Sequence, residues 1–339
     1  MIRFTWMQAR TQTVLAFAAL SVVAVVLAST GPHLVDLYDS SVASCTANRG
    51  PSATCVNPVV SSYPLLQQLG TVLVVVPALI GVFWGAPLAA RELETGTFRL
   101  AWTQSVTRTR WLTVKLAVIG FLSLAVAGLL SLMVTWWSSP IDRVNLNRFS
   151  SGMFGERGIT PIGYAAFAFA FGLTAGVLSR RTLPAMAATL AAFVSARLAV
   201  TYWVRPHLAA PVRTSLALNA ATLHGFTQGP SGLSVNASPN LPDAWVYSNL
   251  IIDKAGQPPT TQFLEHACPS IGAGRQPGPQ SQPAYQACVA KVAAKFHEAV
   301  TYQPASRYWA FQWYETAIFV GLALILTGFS FWWIRRRLT

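Results

Sequence analysis

The chain has 339 residues, of which 53% are hydrophobic and only 10% are charged, and its mean hydropathy is +0.44. A soluble domain carries about 25% charged residues, so this composition excludes a soluble globular protein and predicts an all-α polytopic membrane protein. The net charge of +13 would suit a nucleic-acid partner. In a membrane protein, however, basic residues fix topology and contact the anionic membrane surface, so we expect membrane lipid as a partner and no nucleic acid.

Six apolar runs predict transmembrane helices, because about 20 apolar residues are needed to cross the hydrocarbon layer. In chain order they are residues 13–28, 65–90, 113–137, 159–178, 183–204 and 315–334. Each run must be helical, since a lone strand would leave its backbone amides unpaired in lipid. The first run has the basic start of a signal peptide but no convincing cleavage site near residue 28, so we predict that it is retained.

The distribution of basic residues predicts that both termini are cytoplasmic. Arginine and lysine are dense in the short segments that this orientation places inside and sparse in the long segments that it places outside. Tryptophan, which favours membrane interfaces, marks the predicted span ends. Trp136, Trp137, Trp203, Trp309 and Trp313 fall at outer ends, and Trp6, Trp111, Trp332 and Trp333 fall at inner ends.

All four cysteines, Cys45, Cys55, Cys268 and Cys288, fall in segments predicted to be outside. An even number of cysteines on the oxidising side predicts disulfides. Of the three possible connectivities, the most local joins Cys45 to Cys55 and Cys268 to Cys288. Zinc binding is the alternative, but the chain has no Cys-x-x-Cys pair and His266 is the only nearby imidazole, so we expect no metal site.

The segment 205–314 is long enough to form a folded extracytoplasmic lobe between the fifth and sixth helices. Apolar residues spaced by three to four predict an amphipathic helix at 284–300, and a shorter helix is predicted at 262–267. Residues 245–252 read as a strand. We therefore expect an α-rich lobe, with an α+β lobe and a disordered segment as open alternatives. The predicted organisation is residues 1–204 with five helices, residues 205–314 as the lobe, and residues 315–339 with the sixth helix and a basic tail.

The segment 91–100 follows the second predicted helix and contains two carboxylates, Glu92 and Glu94. They are the only acidic residues on the predicted cytoplasmic face. We expect a short amphipathic helix at the membrane surface that presents both carboxylates to a basic groove on a cytosolic partner, because complementary charges set partner choice.

Two polar residues fall within or beside predicted spans. Arg197 lies in the fifth span, where an arginine costs roughly 2.5–3.5 kcal/mol on insertion scales, and Glu315 begins the sixth. We expect Arg197 to extend to the headgroups or to pair with Glu315, and the open alternative is a polar substrate path. Gly172 and Gly176 form a Gly-x-x-x-Gly pair in the fourth span, which predicts close helix packing within one chain.

The pattern Arg91-Glu92-x-Glu94-x-Gly96-Thr97, followed by Arg108 and then by Lys115, resembles the permease subunit of type-2 ABC exporters. The resemblance implies that residues 91–112 are a coupling segment seated on a separate ATPase subunit, with Arg91, Glu92, Glu94, Gly96, Thr97, Arg99 and Arg108 as its coupling residues. It also implies an interfacial helix at residues 1–12, and pairing with a second permease protomer of the same or a related chain in a bacterial cell membrane. The run 302–315 resembles a subgroup common in actinobacteria.

The chain contains no Gly-x-x-x-x-Gly-Lys-Ser/Thr phosphate loop, so ATP and Mg would be bound by the partner subunit. We expect no cofactor in this chain and no enzymatic activity, because all five histidines fall in predicted outer segments and no catalytic residues can be placed in the bilayer. The alternative function is a membrane sensor or immunity protein whose outer lobe binds a peptide or antibiotic without an ATPase.

Overall fold

The computed structural model of the chain describes residues 2–37, 75–96, 107–139, 148–149, 154–219, 222–229, 232–239, 241–269 and 282–337. Six helices in this part are long and apolar enough to cross a membrane. They are α1 (Ile2–Leu37), α2 (Val75–Thr95), α3 (Arg108–Trp137), α4 (Thr160–Ser179), α5 (Thr182–His207) and α8 (Tyr308–Arg337). All six predicted spans overlap these helices, so a polytopic helical architecture is confirmed.

The first helix differs from the prediction at its start. We expected a separate interfacial helix at residues 1–12, but α1 is continuous from Ile2 to Leu37. Residues 9–14, Ala-Arg-Thr-Gln-Thr-Val, contain no glycine or proline that would end a helix before the apolar run begins. The prediction of two helices was therefore wrong.

Three of the helices contain a π-helical segment. These are Gly81–Gly85 in α2, Leu116–Gly120 in α3 and Val200–Val204 in α5. A π segment inserts one extra residue into a turn and so rotates the face that the following helix presents. The described parts of α4 and α8 are regular α-helices.

Helix α4 is the most buried of the six, and glycines allow α2 to approach it closely. A Cβ atom on Gly172 would lie 2.5 Å from the carbonyl oxygen of Gly81, and one on Gly176 would lie 2.5 Å from the carbonyl oxygen of Ala86. Only hydrogen fits in this space, so the two backbones pack without intervening side chains. The predicted role of the glycine pair, packing within one chain, is confirmed.

The described residues of 209–307, with Arg148, form a separate compact unit. In its described residues there are five strands, β1 (Val212–Ala217), β2 (Leu223–Gly229), β3 (Gly232–Ala237), β4 (Trp245–Ile252) and β5 (His297–Gln303), and two helices, α6 (Thr261–Ala267) and α7 (Gln282–Lys295). Strands β1, β5 and β4 form an antiparallel sheet in that order, and β2 pairs with β3 as an antiparallel hairpin. Of the alternatives left open by the sequence, the structure has the α+β lobe.

The disulfide between Cys268 and Cys288 is present and joins the C-terminal end of α6 to the middle of α7. Both cysteines are buried in an apolar cluster with Leu264, Val292 and Phe296. This part of the disulfide prediction is confirmed, whereas Cys45 and Cys55 lie outside the described residues.

The predicted helix at 284–300 was wrong for its last five residues. Helix α7 ends at Lys295, and His297–Gln303 is the central strand of the three-stranded sheet, paired with both β1 and β4. Glu298 and Val300 are buried while the residues between and beside them are half-buried, which is the alternation of a strand. The predicted strand at 245–252 and the predicted helix at 262–267 are confirmed by β4 and α6.

Candidate functional site

The helix bundle carries polar groups at both of its ends, and we name the ends by their buried acids. The Glu92 end contains the end of α2 and the beginnings of α3 and α5, and the Glu315 end contains the end of α5 and the beginnings of α4 and α8. The predicted coupling segment lies at the Glu92 end. Its residues Thr97 and Arg99 fall outside the described residues.

Helix α2 continues to Thr95 without a break, so Arg91–Thr95 are its last turns and not the separate surface helix that we expected. Gly96 follows with φ 73°, a left-handed conformation that glycine adopts at little cost and that ends helices. The next helix begins at Arg108, after Thr107 accepts a hydrogen bond from the backbone N–H of Arg110 at 3.3 Å. The two helix ends that flank residues 97–106 are therefore both capped.

Glu92 is buried, with 7% of its surface exposed, and it forms an ion pair with Lys115, which is 2% exposed. The distance between Lys115 Nζ and Glu92 Oε1 is 2.5 Å. Trp111 Nε1 donates to the other carboxylate oxygen at 3.0 Å, and Lys115 Nζ also donates to the carbonyl oxygen of Leu88 at 3.3 Å. Because both charges are desolvated, these hydrogen bonds are what make their burial tolerable.

One expectation at this end was wrong. Glu92 does not present its carboxylate outward, because the carboxylate is directed into the bundle toward Lys115. Trp111 lies in the first turn of α3, and only 2% of it is exposed because its indole N–H donates to Glu92 inside the protein. Lys115 carries the signal that predicts this pairing, since a lysine inside an apolar run needs a counter-charge.

Glu94 is exposed, and it caps the first turn of α5. Its Oε2 accepts hydrogen bonds from the backbone N–H of Thr182 at 3.0 Å and from the hydroxyl of Thr182 at 2.7 Å. Arg181, which precedes this helix, makes no side-chain cap. A carboxylate at a helix N-terminus binds free N–H groups and favours the positive end of the helix dipole, so Glu94 joins α2 to α5.

The remaining charges at the Glu92 end are mainly basic. Arg91 is exposed, while Arg108 is half-buried and makes contacts of its own. Exposed arginines at this end include Arg10, Arg110, Arg180, Arg181, Arg335, Arg336 and Arg337. With Glu92 buried and Glu94 bonded to Thr182, the exposed charges in the described part of this end are mainly guanidinium groups.

At the Glu315 end, the carboxylate of Glu315 is fully buried and pairs with Arg205. Arg205 Nε lies 2.7 Å from Glu315 Oε2, and Arg205 Nη2 lies 2.9 Å from Glu315 Oε1. The hydroxyl of Tyr164 donates to the same carboxylate, and the guanidinium of Arg205 lies 4.3 Å from the ring centre of Phe154. A bidentate pair of this kind fixes the relative orientation of α5 and α8.

Of the two expectations for Arg197, extension to the headgroups or pairing with Glu315, the pairing is wrong, because Arg205 binds both carboxylate oxygens of Glu315. Arg197 instead lies with its guanidinium 5.2 Å from the ring centre of Tyr164. The sequence analysis did not identify Arg205 as the partner of Glu315, because the predicted span ended at residue 204, whereas α5 continues to His207.

The segment 154–160 before α4 is held by Gln312 of α8. The amide oxygen of Gln312 accepts from the backbone N–H groups of Ile159 at 3.2 Å and Thr160 at 3.1 Å, and also from the Thr160 hydroxyl. Its amide nitrogen donates to the carbonyl oxygen of Phe154 at 2.9 Å and to the Tyr308 hydroxyl at 3.2 Å. Gln312 has no exposed surface, and every hydrogen-bonding group of its amide is used.

Glu156 lies in the same segment, and its burial raises its pKa to about 7. The charges of Arg197 and Arg157 act in the opposite direction and keep the shift from being larger. Glu156 is therefore a carboxyl group outside the long helices that titrates near neutral pH. The sequence alone offered no sign of it.

A family model described as "ABC-2 membrane transporter related" matches residues 17–205. The match covers more than half of the chain and runs from α1 to the buried Arg205. No curated protein and no solved structure matches the chain.

Proposed function

Because this chain belongs to the family of ABC-2 membrane transporter related proteins, we propose that it is the permease subunit of an ATP-driven exporter. Two protomers, of the same or related chains, form the translocation path. A separate ABC ATPase subunit binds ATP and Mg and drives it. The predicted residues 91–112 are the segment through which this permease contacts that subunit.

In this proposal the Glu92 end is cytoplasmic, and both termini lie on that side of a bacterial cell membrane. The support is the concentration of exposed arginines at that end, because basic residues are retained on the cytoplasmic side. The lobe 209–307 is then extracytoplasmic, where its disulfide between Cys268 and Cys288 is stable to reduction. The run 302–315 supports an assignment to the actinobacterial subgroup.

The buried contact among Glu92, Trp111 and Lys115 is the observation that carries the coupling proposal. It joins the last turns of α2 to the first turns of α3, which are the two helices that flank residues 97–106. Because a buried ion pair is costly to break, a force applied to that segment moves both helices together. This is the mechanical property that a coupling segment requires.

The charges of the exposed side chains on this permease indicate the charge of the ATPase surface that contacts them. Glu92 is not accessible, and the accessible side chains beside the segment include Arg91 and Arg110. We therefore propose that the partner surface is acidic, and not basic as the sequence alone suggested. Charge complementarity of this kind sets specificity and association rate.

The test is affinity purification of the tagged full-length chain from its native membrane. The co-purifying ATPase is identified by a peptide containing its phosphate loop and by Mg-dependent ATP hydrolysis. The variant Arg91→Glu with Arg110→Glu is expected to lower capture about tenfold, because two reversed charges cost more than 1 kcal/mol. Arg213→Glu, an exposed arginine of the lobe, is the matched control and is expected to leave capture unchanged.

Reversal of Glu92 is not a suitable test, because a second cation beside the buried Lys115 would disrupt the fold. If the wild-type chain purifies without an ATPase and its lobe binds a peptide or antibiotic, the proposal is wrong and the chain is a sensor or immunity protein. Equal capture by the wild type and the double reversal would overturn the proposed contact surface.

A further inference from the structure

Helix α5 has a polar attachment at each of its ends. At the Glu92 end, Thr182 donates two hydrogen bonds to Glu94 of α2. At the Glu315 end, Arg205 forms the bidentate pair with Glu315 of α8. The helix has 26 residues and thus spans roughly 39 Å at 1.5 Å per residue.

Between these attachments, the fully buried side chains of α5 form one stripe, and Arg197 also lies against the Tyr164 ring toward the Glu315 end. Its buried side chains there are Ala185, Thr189, Phe193 and Val200, which lie on one face. Most other side chains on this stretch are exposed or half-buried. Because apolar contacts are non-directional, the stripe resists separation of α5 from the bundle more than it resists movement of α5 along its axis.

The directional contacts therefore lie toward the two ends of α5, with Arg197 on Tyr164 adding to the Glu315 end, and they set the axial position of the helix. The Arg205 pair is buried and has two parallel hydrogen bonds, so its geometry is strict. The Glu94 cap is exposed to solvent, so it is the weaker of the two attachments. The π-helical segment Val200–Val204 ends immediately before Arg205 and directs the side chain of Arg205 toward α8.

We propose that α5 is a connecting helix and that Glu94 and Thr182 are positioning residues, through which movement of the α2 end is transmitted along α5 to the Arg205–Glu315 pair. This inference rests on the proposed function, in which the ATPase moves the α2 end. It assigns Glu94 a role within the permease, whereas Glu94 was expected to be a direct contact of the partner.

The first experiment measures hydrogen exchange of the full-length chain in lipid nanodiscs, with no ATPase present. Glu94→Ala and Thr182→Val each remove part of the attachment. We expect exchange of the amides of Arg205, His207 and Leu208 to rise about fivefold, in addition to faster exchange in the first turn of α5. Glu94→Gln and Thr182→Ser keep the acceptor and the hydroxyl and are expected to behave like the wild type.

Thr107→Val is the matched control. Thr107 caps α3 at the same end of the bundle, so its loss removes a helix cap without touching α5. A purely local role for Glu94 predicts that Glu94→Ala, like Thr107→Val, leaves residues 205–208 unchanged. That result would overturn the proposal.

The second experiment uses the complex with the ATPase, trapped with ATP and vanadate. The wild type is expected to change exchange at 205–208 on trapping, while Glu94→Ala and Thr182→Val retain the ATPase but lose this change. If both variants keep the change, α5 is not the route and the inference fails. If the wild type captures no ATPase but Glu94→Ala still loosens 205–208, the connection between the ends of α5 stands and the proposed function fails.

Discussion

Glu92 and Lys115 form a buried ion pair that joins the last turns of α2 to the first turns of α3. The two residues are 23 positions apart, and the segment between them contains most of the residues expected to contact an ATPase. Burying these two charges costs desolvation free energy, and their mutual attraction compensates for that cost only while both residues are present. The pair therefore makes the geometry of this end of the bundle depend on two side chains that can be changed separately.

The ion pair can be tested by a double-mutant cycle. Lys115→Met leaves Glu92 buried without its cation and is expected to destabilise the protein by about 3–5 kcal/mol. Glu92→Leu with Lys115→Met removes both charges, and we expect it to recover most of that loss, apart from about 1–3 kcal/mol for the unpaired indole N–H of Trp111. Thermal unfolding in nanodiscs measures both, and additive losses in the double variant would contradict a direct pair.

The bidentate pair at the other end predicts that Arg205 and Arg197 differ in their tolerance to lysine. Arg205→Lys keeps the charge but loses the forked geometry that binds both oxygens of Glu315. We expect a clear drop in the unfolding temperature of this variant. Arg197→Lys keeps a cation over the Tyr164 ring and is expected to have a smaller effect. Equal effects of the two substitutions would refute the assignment of Arg205 as the partner of Glu315.

Glu156 predicts a pH dependence of stability. Its pKa is raised from 4.5 to about 7 in the folded protein, so between these values the folded state binds a proton that the unfolded state does not. Its contribution to stability is complete below about pH 4.5 and is lost as the pH rises through about 7. Relative to the wild type, Glu156→Gln should be more stable at pH 8 than at pH 5.5.

The measurement is the difference in unfolding temperature between Glu156→Gln and the wild type across that pH range. Glu265→Gln, an exposed carboxylate of the lobe, serves as the control and should show no such trend. Parallel curves for the wild type and Glu156→Gln would show that Glu156 has its ordinary pKa.

The close packing of α2 on α4 predicts that alanine is not tolerated at Gly172. Its Cβ would lie 2.5 Å from the carbonyl oxygen of Gly81 and 2.7 Å from the backbone nitrogen of Ala86, so the backbones must separate at a cost of about 1–3 kcal/mol. Gly321→Ala in α8 is the control, because no heavy atom lies within 4 Å of its added methyl group. It should be neutral or slightly stabilising, since alanine favours helix over glycine. Similar unfolding temperatures for both variants would contradict the packing.

The sequence predicted the helices of the bundle because membrane spans follow from hydropathy alone, without knowledge of tertiary contacts. It did not predict the polar pairs correctly, because pairing depends on which helix faces adjoin. Glu315 was assigned to Arg197 by its estimated depth, yet α5 extends through a π-helical segment to His207 and brings Arg205 to that site instead. Likewise, nothing in the local pattern of Glu92 distinguishes a surface carboxylate from one that turns inward to Lys115.

The lobe shows the same limit. Residues 284–295 are helical as predicted, but the following residues form a strand because β1 and β4 pair with both of their edges. Those two strands begin at Val212 and Trp245, far away in the chain. Tertiary pairing therefore overrides a helical spacing that extends only locally.

Gln312 restricts the natural variation that its position can tolerate. Its amide oxygen accepts hydrogen bonds from two backbone N–H groups and a hydroxyl, and its amide nitrogen donates to a carbonyl oxygen and a phenol oxygen. A glutamate at position 312 would place a second acceptor oxygen against the Phe154 carbonyl oxygen, which can only accept. A leucine of similar size would leave all five groups without this hydrogen-bond partner. Position 158 is restricted to glycine for a related reason. Gly158 has φ 68°, and an added Cβ would lie 2.8 Å from the Gln312 amide oxygen. Related sequences should therefore retain both Gln312 and Gly158 or replace both.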